Sequence, residues 1–283
     1  MKSERVSRTA LNVAATMVTL GAKPGWHDRL PAGLPELSEA LLLVSGQFPF
    51  SDRALQLSRQ PFAVRLARLG EVLQPGTFEG LGRRKIFMDE QVRTAIDAGA
   101  SQVLVLGAGF DTLCLRLASE YPELSFIEID HPATSRAKAG AVEILGRPLN
   151  MSLVPADLGR LSLSRVLADC DAWSLEADSV VVAEGLLYYL SPESVEDLFA
   201  ELLASATPGS RVAFSHLPSL RHHRLARAAL RVAGEPWLSA SRSEDLEDYV
   251  GPGWDIVITR PARRFRDLEG LAVAELRHDA SVD

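Results

Sequence analysis

Short apolar runs that lead into an acid or a glycine turn are the part of this sequence that could carry chemistry. The first such run is Gln-Val-Leu-Val-Leu, and Gly107 and Gly109 follow it directly. Glycine lets the backbone turn sharply and approach a ligand closely. Three later runs are followed by the acids Asp130, Asp157 and Glu184. Carboxylates at such places suit a ligand that carries hydroxyl, amino or cationic groups.

The glycine loop at 107–109 is weak evidence for a ligand site by itself, and the residues around it make the evidence more specific. A dinucleotide-binding fingerprint needs a third glycine three residues after the second, and Thr112 stands there instead. Asp130 follows Gly107 by 23 residues, close to the spacing at which an acid meets ribose hydroxyls. The loop therefore indicates a nucleotide-type ligand, while Thr112 disfavours the alternative of an NAD-dependent oxidoreductase.

Each acid also has a purely structural interpretation. Asp130 and Asp157 would serve as N-caps of the helices that follow them, because aspartate is a favoured N-cap residue. Glu184 would pair with a structural arginine, since burying an unpaired carboxylate is costly. We favour a shared ligand site because the glycine turn and the three acids follow successive apolar runs.

The elements that must position these residues alternate between strand and helix after residue 100. The pattern predicts strands at 102–106, 125–129, 151–154, 179–183, 211–215, 254–258 and 271–276, with helices at 111–120, 133–145 and from about 191. This alternation predicts an α/β fold with a doubly wound, mostly parallel sheet. Ligands of such sheets bind at the carboxyl ends of the strands, where the strand order reverses.

Changes in the predicted secondary structure along the chain divide it into four predicted regions. They are a helical N-terminal cap (1–100), a Rossmann-like ligand-binding core (101–215), a helical insertion or lid (216–250) and closing strands of the core (251–283). The insertion contains a basic stretch at 221–231. We interpret this stretch either as a solvated helix face or as a mobile lid that attracts an acidic substrate.

Composition excludes several classes of protein. The 283 residues include 30 Lys+Arg and 37 Asp+Glu, and the net charge of -7 argues against a dedicated nucleic-acid binder. The two cysteines form no C-x-x-C motif, which predicts a reducing, cytoplasmic location and no metal site. No run reaches the roughly 18 apolar residues of a membrane span. The apolar spacing near the N-terminus predicts an amphipathic helix rather than a secretory signal.

Four strand-end motifs carry a family resemblance. They are L-G-A-G-F-D-T (106–112), F-I-E-I-D-H-P (126–132), A-D-L (156–158) and A-E-G-L-L-Y-Y-L (183–190). Together they resemble the leucine carboxyl methyltransferase family, in its branch of bacterial polyketide O-methyltransferases related to the tetracenomycin carboxyl methyltransferase. Arg84, in R-K-I-F-M-D (84–89), is similar to the family arginine ahead of the first strand, and A-G-E-P-W-L-S (233–239) resembles the family's C-terminal part.

The resemblance implies a class I methyltransferase that binds S-adenosylmethionine. It implies that Arg84 holds the cofactor carboxylate, that Asp130 holds the ribose and that Glu184 holds the methionine amino group. The remaining implied contacts, to the methionine portion and the adenine, are at Gly107, Gly109, Asp157 and Leu158. The partner would be a small, acidic molecule, and the oligomeric state is left open.

The methyl acceptor is the open question. A carboxylic acid has an ordinary pKa of about 4, so its carboxylate needs no base, and we expect a polyketide-like metabolite whose carboxylate becomes a methyl ester. A phenol or alcohol would need a base, and His216 after the fifth strand is the candidate, with a structural histidine as the alternative. Tyr189, beside Tyr188, would line the catalytic pocket or pack in the core. A further alternative is a protein that binds the cofactor without transferring methyl groups.

Overall fold

The predicted apolar runs form one sheet in the computed structural model, which describes residues 5–47, 49–73, 76–219, 231, 234–263 and 266–277. Within these ranges the strands are β1 (Gln102–Leu106), β2 (Ser125–Asp130), β3 (Met151–Pro155), β4 (Ser179–Ala183), β5 (Arg211–His216), β6 (Trp254–Arg260) and β7 (Gly270–Leu276). Their order is β3-β2-β1-β4-β5-β7-β6, with β7 antiparallel to both neighbours and the other pairs parallel. The predicted α/β fold with a doubly wound, mostly parallel sheet is confirmed.

Helices precede the sheet and then cover both of its faces. Those before β1 are α1 (Arg8–Gly21), α2 (Leu34–Ser45), α3 (Asp52–Ser58), α4 (Pro61–Leu73) and α5 (Glu79–Asp97). Those after β1 are α6 (Leu113–Glu120), α7 (Pro132–Leu145), α8 (Leu163–Ala168), α9 (Pro192–Ser205) and α10 (Leu246–Val250). Short 3₁₀ helices lie at His27–Arg29, Leu187–Tyr189 and Ser243–Asp245.

The side chains of the central strands divide the core into two layers. Every residue of β1 and of β4 is buried, as expected for strands covered on both faces. Alternation along β1 sends Val103 and Val105 into a layer with α5, α6 and α7, and Leu104 and Leu106 into a layer with α8 and α9. The sheet is thus held rigidly, and its strand ends are fixed in place.

The ends of several strands lie one or two residues beyond their predicted limits. The paired residues of β2 continue to Asp130 and those of β5 to His216. Strand ends are the least certain feature of a sequence pattern, because polar residues there break the apolar signal. Asp130 and His216 are therefore part of the sheet rather than of the loops that follow it.

The predicted helical lid at 216–250 includes residues 220–230 and 232–233, which lie outside the described residues. The described part contains the 3₁₀ helix Ser243–Asp245 and the short α10. Of the basic stretch at 221–231, the structure describes Arg231, which is exposed.

Helix α1 lies in the N-terminal segment predicted as an amphipathic helix, and the hydroxyl of Ser7 caps it by accepting a hydrogen bond from the Ala10 N–H at 3.1 Å. Its buried residues are Leu11, Ala14, Met17, Val18 and Leu20. Among the described helices, none is both long enough and apolar enough to cross a membrane.

Candidate functional site

A cleft of about 620 Å³ opens at the carboxyl ends of β1 to β4. The strand order reverses between the neighbours β1 and β4, which is where doubly wound sheets bind ligands. Helices α1, α2 and α5, the segment 234–238 and residues 268–269 also contribute to the described walls. The structure brings together eight predicted residues in these walls: Arg84, Gly107, Gly109, Asp130, Asp157, Leu158, Glu184 and Tyr189.

The turn after β1 requires glycine at two positions. Gly107 has a φ of 64° and Gly109 a φ of 52°, in the left-handed region that favours glycine. A Cβ atom on Gly109 would lie 2.8 Å from the Cβ of Ala10, and one on Gly107 would lie 2.9 Å from Leu186 Cδ1. The backbone of this glycine turn therefore approaches α1 and the loop after β4 more closely than other residues would allow.

The carboxylate of Asp130 is built into the glycine turn. Asp130 Oδ2 accepts a hydrogen bond from the Gly109 N–H at 2.5 Å. Burial raises the pKa of Asp130, and the hydrogen bond from Gly109 opposes part of that rise. The contact fixes the position of Asp130 at the edge of the cleft.

Asp157 closes a turn and also lines the cleft. Its Oδ1 accepts a hydrogen bond from the Gly159 N–H at 3.1 Å, the local turn geometry that aspartate favours. Its Oδ2 lies 3.8 Å from His131 Nε2, and Leu158 beside it adds an apolar wall. The structural and the ligand-facing interpretations of Asp157 are therefore compatible.

Five charged side chains form a network beside the glycine turn, which we call the ion-pair cluster: Arg84, Lys85, Asp111, Glu184 and Glu269. The Nε of Arg84 lies 2.8 Å from Glu184 Oε1, and its Nη1 lies 2.5 Å from Glu269 Oε1. The Nζ of Lys85 lies 2.8 Å from both Glu184 Oε1 and Asp111 Oδ2. All five side chains are buried, so their charges attract one another more strongly than those of a surface ion pair, and removing one partner would leave a buried charge unpaired.

The ion-pair cluster has two cations and three carboxylates, so it carries one excess negative charge. Glu184 Oε2 and Glu269 Oε2 are buried, and neither accepts a hydrogen bond from the described residues. Leaving such oxygens without a partner costs free energy. The cluster is therefore complementary to a ligand that brings a cationic hydrogen-bond donor.

Neighbouring charges of the ion-pair cluster favour the charged forms of Arg84 and Asp111. Burial alone would lower the pKa of the Arg84 guanidinium, but the charges of Glu269 and Glu184 outweigh it and raise that pKa. Burial would raise the pKa of Asp111, but the neighbouring Lys85 lowers it well below its usual range. Both groups are therefore ionised at neutral pH.

Sequence reasoning missed four charged residues of the cleft: Lys85, Asp111, Glu235 and Glu269. Lys85, Asp111 and Glu235 lie inside motifs described above (84–89, 106–112 and 233–239), and those motifs are the signal that could have identified them. Glu235 and Glu269 lie in irregular segments after β5 and before β7, where no periodicity indicates which way a side chain faces.

The two adjacent tyrosines have different surroundings. The hydroxyl of Tyr188 donates a hydrogen bond to Glu269 Oε1 at 3.0 Å, and its ring packs edge-on against Trp237 at 5.7 Å. Tyr189 lines the cleft, and burial raises the pKa of its hydroxyl. Tyr188 therefore supports the ion-pair cluster, and the catalytic role of Tyr189 stays a prediction.

The structure positions His216 away from the cleft, where it is 0% exposed. Its Nδ1 lies 2.7 Å from the Ser241 carbonyl oxygen, and it is absent from the described lining of the cleft. The preceding Ser215 accepts a hydrogen bond from the Gly185 N–H at 2.9 Å, and alternation along β5 turns His216 to the opposite face. A Cβ on Gly270 would lie 2.2 Å from its Nε2. This geometry supports the structural histidine and not the general base.

We expect His216 to destabilise the fold at acidic pH. Burial lowers the pKa of His216 from its ordinary 6.5, so below that pH the unfolded chain binds the proton more readily than the folded chain. Stability is complete above about pH 6.5 and falls as the pH approaches the lowered pKa of the folded state. Urea unfolding between pH 8 and pH 5 should show a shallower loss for His216→Asn, and an equal slope would contradict this assignment.

Known proteins resemble this chain along most of its length. The profile described as leucine carboxyl methyltransferase matches residues 40–203, more than half of the chain. A Mycobacterium avium (strain 104) protein named as a candidate S-adenosyl-L-methionine-dependent methyltransferase is 28% identical over 295 residues, 94% of this chain and 89% of its own. A Mycolicibacterium paratuberculosis protein of the same name is 30% identical over 217 residues, 70% of this chain and 68% of its own.

The fold is also similar to that of a solved structure. A candidate methyltransferase from Thermobifida fusca superposes with a TM-score of 0.61 at 19% identity, covering 90% of this chain and 98% of its own. This structural similarity supports the fold, and the profile match supports the family assignment. Because that match spans more than half of the sequence, the chain belongs to the leucine carboxyl methyltransferase family.

Proposed function

We propose that this protein is an S-adenosyl-L-methionine-dependent O-methyltransferase with a small-molecule acceptor. The observation that carries the proposal is the ion-pair cluster beside the glycine turn, with its excess negative charge and two unpartnered carboxylate oxygens. The family and the names of the relatives support methyl transfer from this cofactor. The cofactor carries a sulfonium and an ammonium group, and an acidic cleft attracts both.

The cleft offers a partner for each polar group of the cofactor. The free Oε2 of Glu184 would accept a hydrogen bond from the amino group, and the Arg84 guanidinium would bind the carboxylate. Asp130 would accept hydrogen bonds from the ribose hydroxyls. The methionine portion and the adenine would lie against Gly107, Gly109, Asp157 and Leu158.

When bound, S-adenosyl-L-methionine supplies an electrophilic methyl group on a positively charged sulfur. The protein's own task is to align the acceptor and to exclude water, and alignment can contribute about 7–11 kcal/mol in favourable cases. Helix α1 serves this task by closing over the glycine turn at Ala10.

A carboxylate acceptor is the first candidate, as in the family's own description. It is already ionised at neutral pH, so the enzyme would need no base. A polyketide-like acidic metabolite and a cytoplasmic site of action belong to this proposal, supported by the sequence resemblance and by the scarcity of cysteine.

A hydroxyl acceptor is the second candidate, and one residue of the cleft favours it. Glu235 lines the cleft and is 8% exposed, so a carboxylate that sequence reasoning missed is available to an acceptor. A hydroxyl needs a base within hydrogen-bond reach, which His216 does not provide.

Calorimetric titration with S-adenosyl-L-methionine tests the proposed function. We expect one-to-one binding by the wild type, and about tenfold weaker binding by Asp130→Asn because a charge-assisted hydrogen bond to the ribose is lost. Methyl-labelled cofactor should then yield S-adenosylhomocysteine with acids or phenols.

Other results of these binding and methyl-transfer experiments would support a different function. Absence of cofactor binding would contradict the proposed function, and fluorescence-detected nicotinamide binding would revive the oxidoreductase. Cofactor binding without methyl transfer to any acceptor would favour a non-catalytic protein.

A further inference from the structure

A second cavity, of about 700 Å³, lies between the first half of α5 and the segment that joins β6 to β7. Its volume is in the range of small-molecule binding sites. It shares four lining residues with the cleft, namely Leu81, Arg84, Leu268 and Glu269. The glycine turn and the strand-end acids are absent from its described lining. The second cavity therefore lies against the ion-pair cluster and is separate from the strand ends.

Positive charge is concentrated in this cavity. Five arginines line it, and we call it the arginine cavity: Arg29, Arg83, Arg84, Arg260 and Arg263. Asp267 and Glu269 are the two acids of the described lining, so that lining carries three excess positive charges, whereas the whole chain has a net charge of -7. A concave surface lined by one sign of charge concentrates ligands of the opposite sign.

Two of these arginines are held mainly by aromatic rings. The guanidinium of Arg260 lies 4.7 Å from the centre of the Phe87 ring, and its contact with Glu90 is long, at 3.5 Å, and exposed. The guanidinium of Arg29 lies 4.6 Å from the centre of the Trp26 ring, and no carboxylate of the described residues lies within ion-pair distance of it. An arginine stacked on a ring keeps N–H donors free for an anion.

The loop side of the arginine cavity is held in place by one carboxylate. Asp267 Oδ1 accepts a hydrogen bond from Arg83 Nε at 2.9 Å, and its Oδ2 accepts one from Arg263 Nε at 3.1 Å. A Cβ atom on Gly76 would lie 2.1 Å from the Leu268 backbone nitrogen, so this segment packs closely against residue 76. Asp267 thus holds two guanidinium groups at the cavity and neutralises one of them.

We propose that the arginine cavity is a second binding site, for an anionic small molecule that carries carboxylate or phosphate groups on an apolar body. Arg29 and Arg260 would donate hydrogen bonds to the anionic groups, since the guanidinium fork matches both carboxylate and phosphate. The apolar lining residues Leu81, Ile86 and Leu271 would contact the body of the ligand. This site is additional to the proposed cofactor site and does not depend on the proposed function.

Calorimetric titration at pH 8 with three small aromatic probes tests the site. Isophthalate and phenyl phosphate are dianions, and isophthalamide is an uncharged analogue of isophthalate. The wild type should bind at least one of the two anions tenfold or more tightly than isophthalamide, because the arginines recognise charge. Tighter binding of isophthalate would assign the site to carboxylates, and tighter binding of phenyl phosphate would assign it to phosphates.

Charge-removing variants locate the site in the protein. Arg29→Gln and Arg260→Gln should each weaken the binding of the preferred anion about tenfold, since one charge-assisted hydrogen bond is lost. Arg53→Gln is the matched control, because Arg53 is an exposed arginine of α3 outside the lining of the cavity. It removes the same charge from the protein and should leave the Kd unchanged.

A bulky substitution separates a built cavity from a merely basic surface. Ala262 lines the arginine cavity, so Ala262→Trp would occupy part of its volume while keeping every charge. We expect this variant to weaken the binding of the preferred anion at least tenfold. Attraction to surface arginines alone would survive the change.

Titration in the presence of saturating S-adenosylhomocysteine tests whether the two sites are separate. The Kd of the preferred anion should stay within threefold, and displacement of the anion would overturn the proposal. So would the absence of binding by both anions, equal binding of isophthalamide, equal losses in Arg53→Gln and Arg29→Gln, or unchanged affinity in Ala262→Trp. Failure of the wild type to bind S-adenosylhomocysteine would reject the proposed function, while the anion titrations would still decide on the arginine cavity.

Discussion

Replacing Glu184 with glutamine should weaken the binding of S-adenosyl-L-methionine about 100-fold, because a buried, charge-assisted contact to the cofactor amino group is lost. Glu184 Oε1 is occupied by Arg84 and Lys85, whereas Oε2 has no partner among the described residues. The substitution removes the excess negative charge of the ion-pair cluster and keeps its shape. Calorimetric titration of the folded variant measures the change in Kd directly.

A second buried glutamate provides the control for that experiment. Glu128 is buried like Glu184 and pairs with Lys138 at 2.5 Å, but it does not belong to the described lining of the cleft. Glu128→Gln should therefore lower the free energy of unfolding while leaving the Kd for the cofactor unchanged. Binding by Glu184→Gln within threefold of the wild type would show that the cluster is a structural network and not the amino-group site.

Replacing Arg84 with methionine should destabilise the fold by about 3–5 kcal/mol, the usual cost of removing one partner from a buried ion pair. The change leaves Glu269 without a cation within ion-pair distance among the described residues, and leaves Glu184 with Lys85 alone. The Tm should fall by roughly 10 °C for a chain of this size. Urea unfolding and thermal denaturation, both without cofactor, measure the loss.

The adjacent arginine of α5 is a matched control. Arg83 pairs with Asp267 at 2.8 Å, but it is more exposed than Arg84 and Asp267 also binds Arg263 at 3.1 Å. Arg83→Met should therefore cost about 1 kcal/mol or less, as partly exposed pairs do. Similar losses for the two variants would contradict the view that burial of the cluster sets its strength.

The strands of this protein are predicted well from its sequence because their residues form a strong hydrophobic pattern. The strands β1 and β4 are wholly apolar after their first residues, Gln102 and Ser179, and their predicted limits match the observed ones. The acids Asp130, Asp157 and Glu184 sit directly at strand ends, and parallel strands bring those ends to one edge. The sequence therefore predicts that these three acids lie together at one edge of the sheet.

The other half of the cleft could not be predicted, for two physical reasons. The direction of a strand-end side chain depends on a single residue of register, and that step turns His216 away while Ser215 faces the loop after β4. Glu235 and Glu269 lie in irregular segments whose positions depend on tertiary contacts with Tyr188 and Arg84. The spacing of residues along the sequence gives no information about such tertiary contacts.

The hydrogen bond between Thr9 and Glu235 joins residues 226 positions apart in the chain, whereas the implied cofactor contacts from the strand ends all lie between Gly107 and Glu184. The proposed strand-end contacts to the cofactor thus come from one continuous stretch, to which Arg84 of α5 adds the proposed carboxylate contact, whereas this wall of the cleft joins segments that flank the stretch. Two such modules can diverge separately in evolution. Changes at Thr9 or Glu235 would alter this wall of the cleft while leaving the strand-end residues in place.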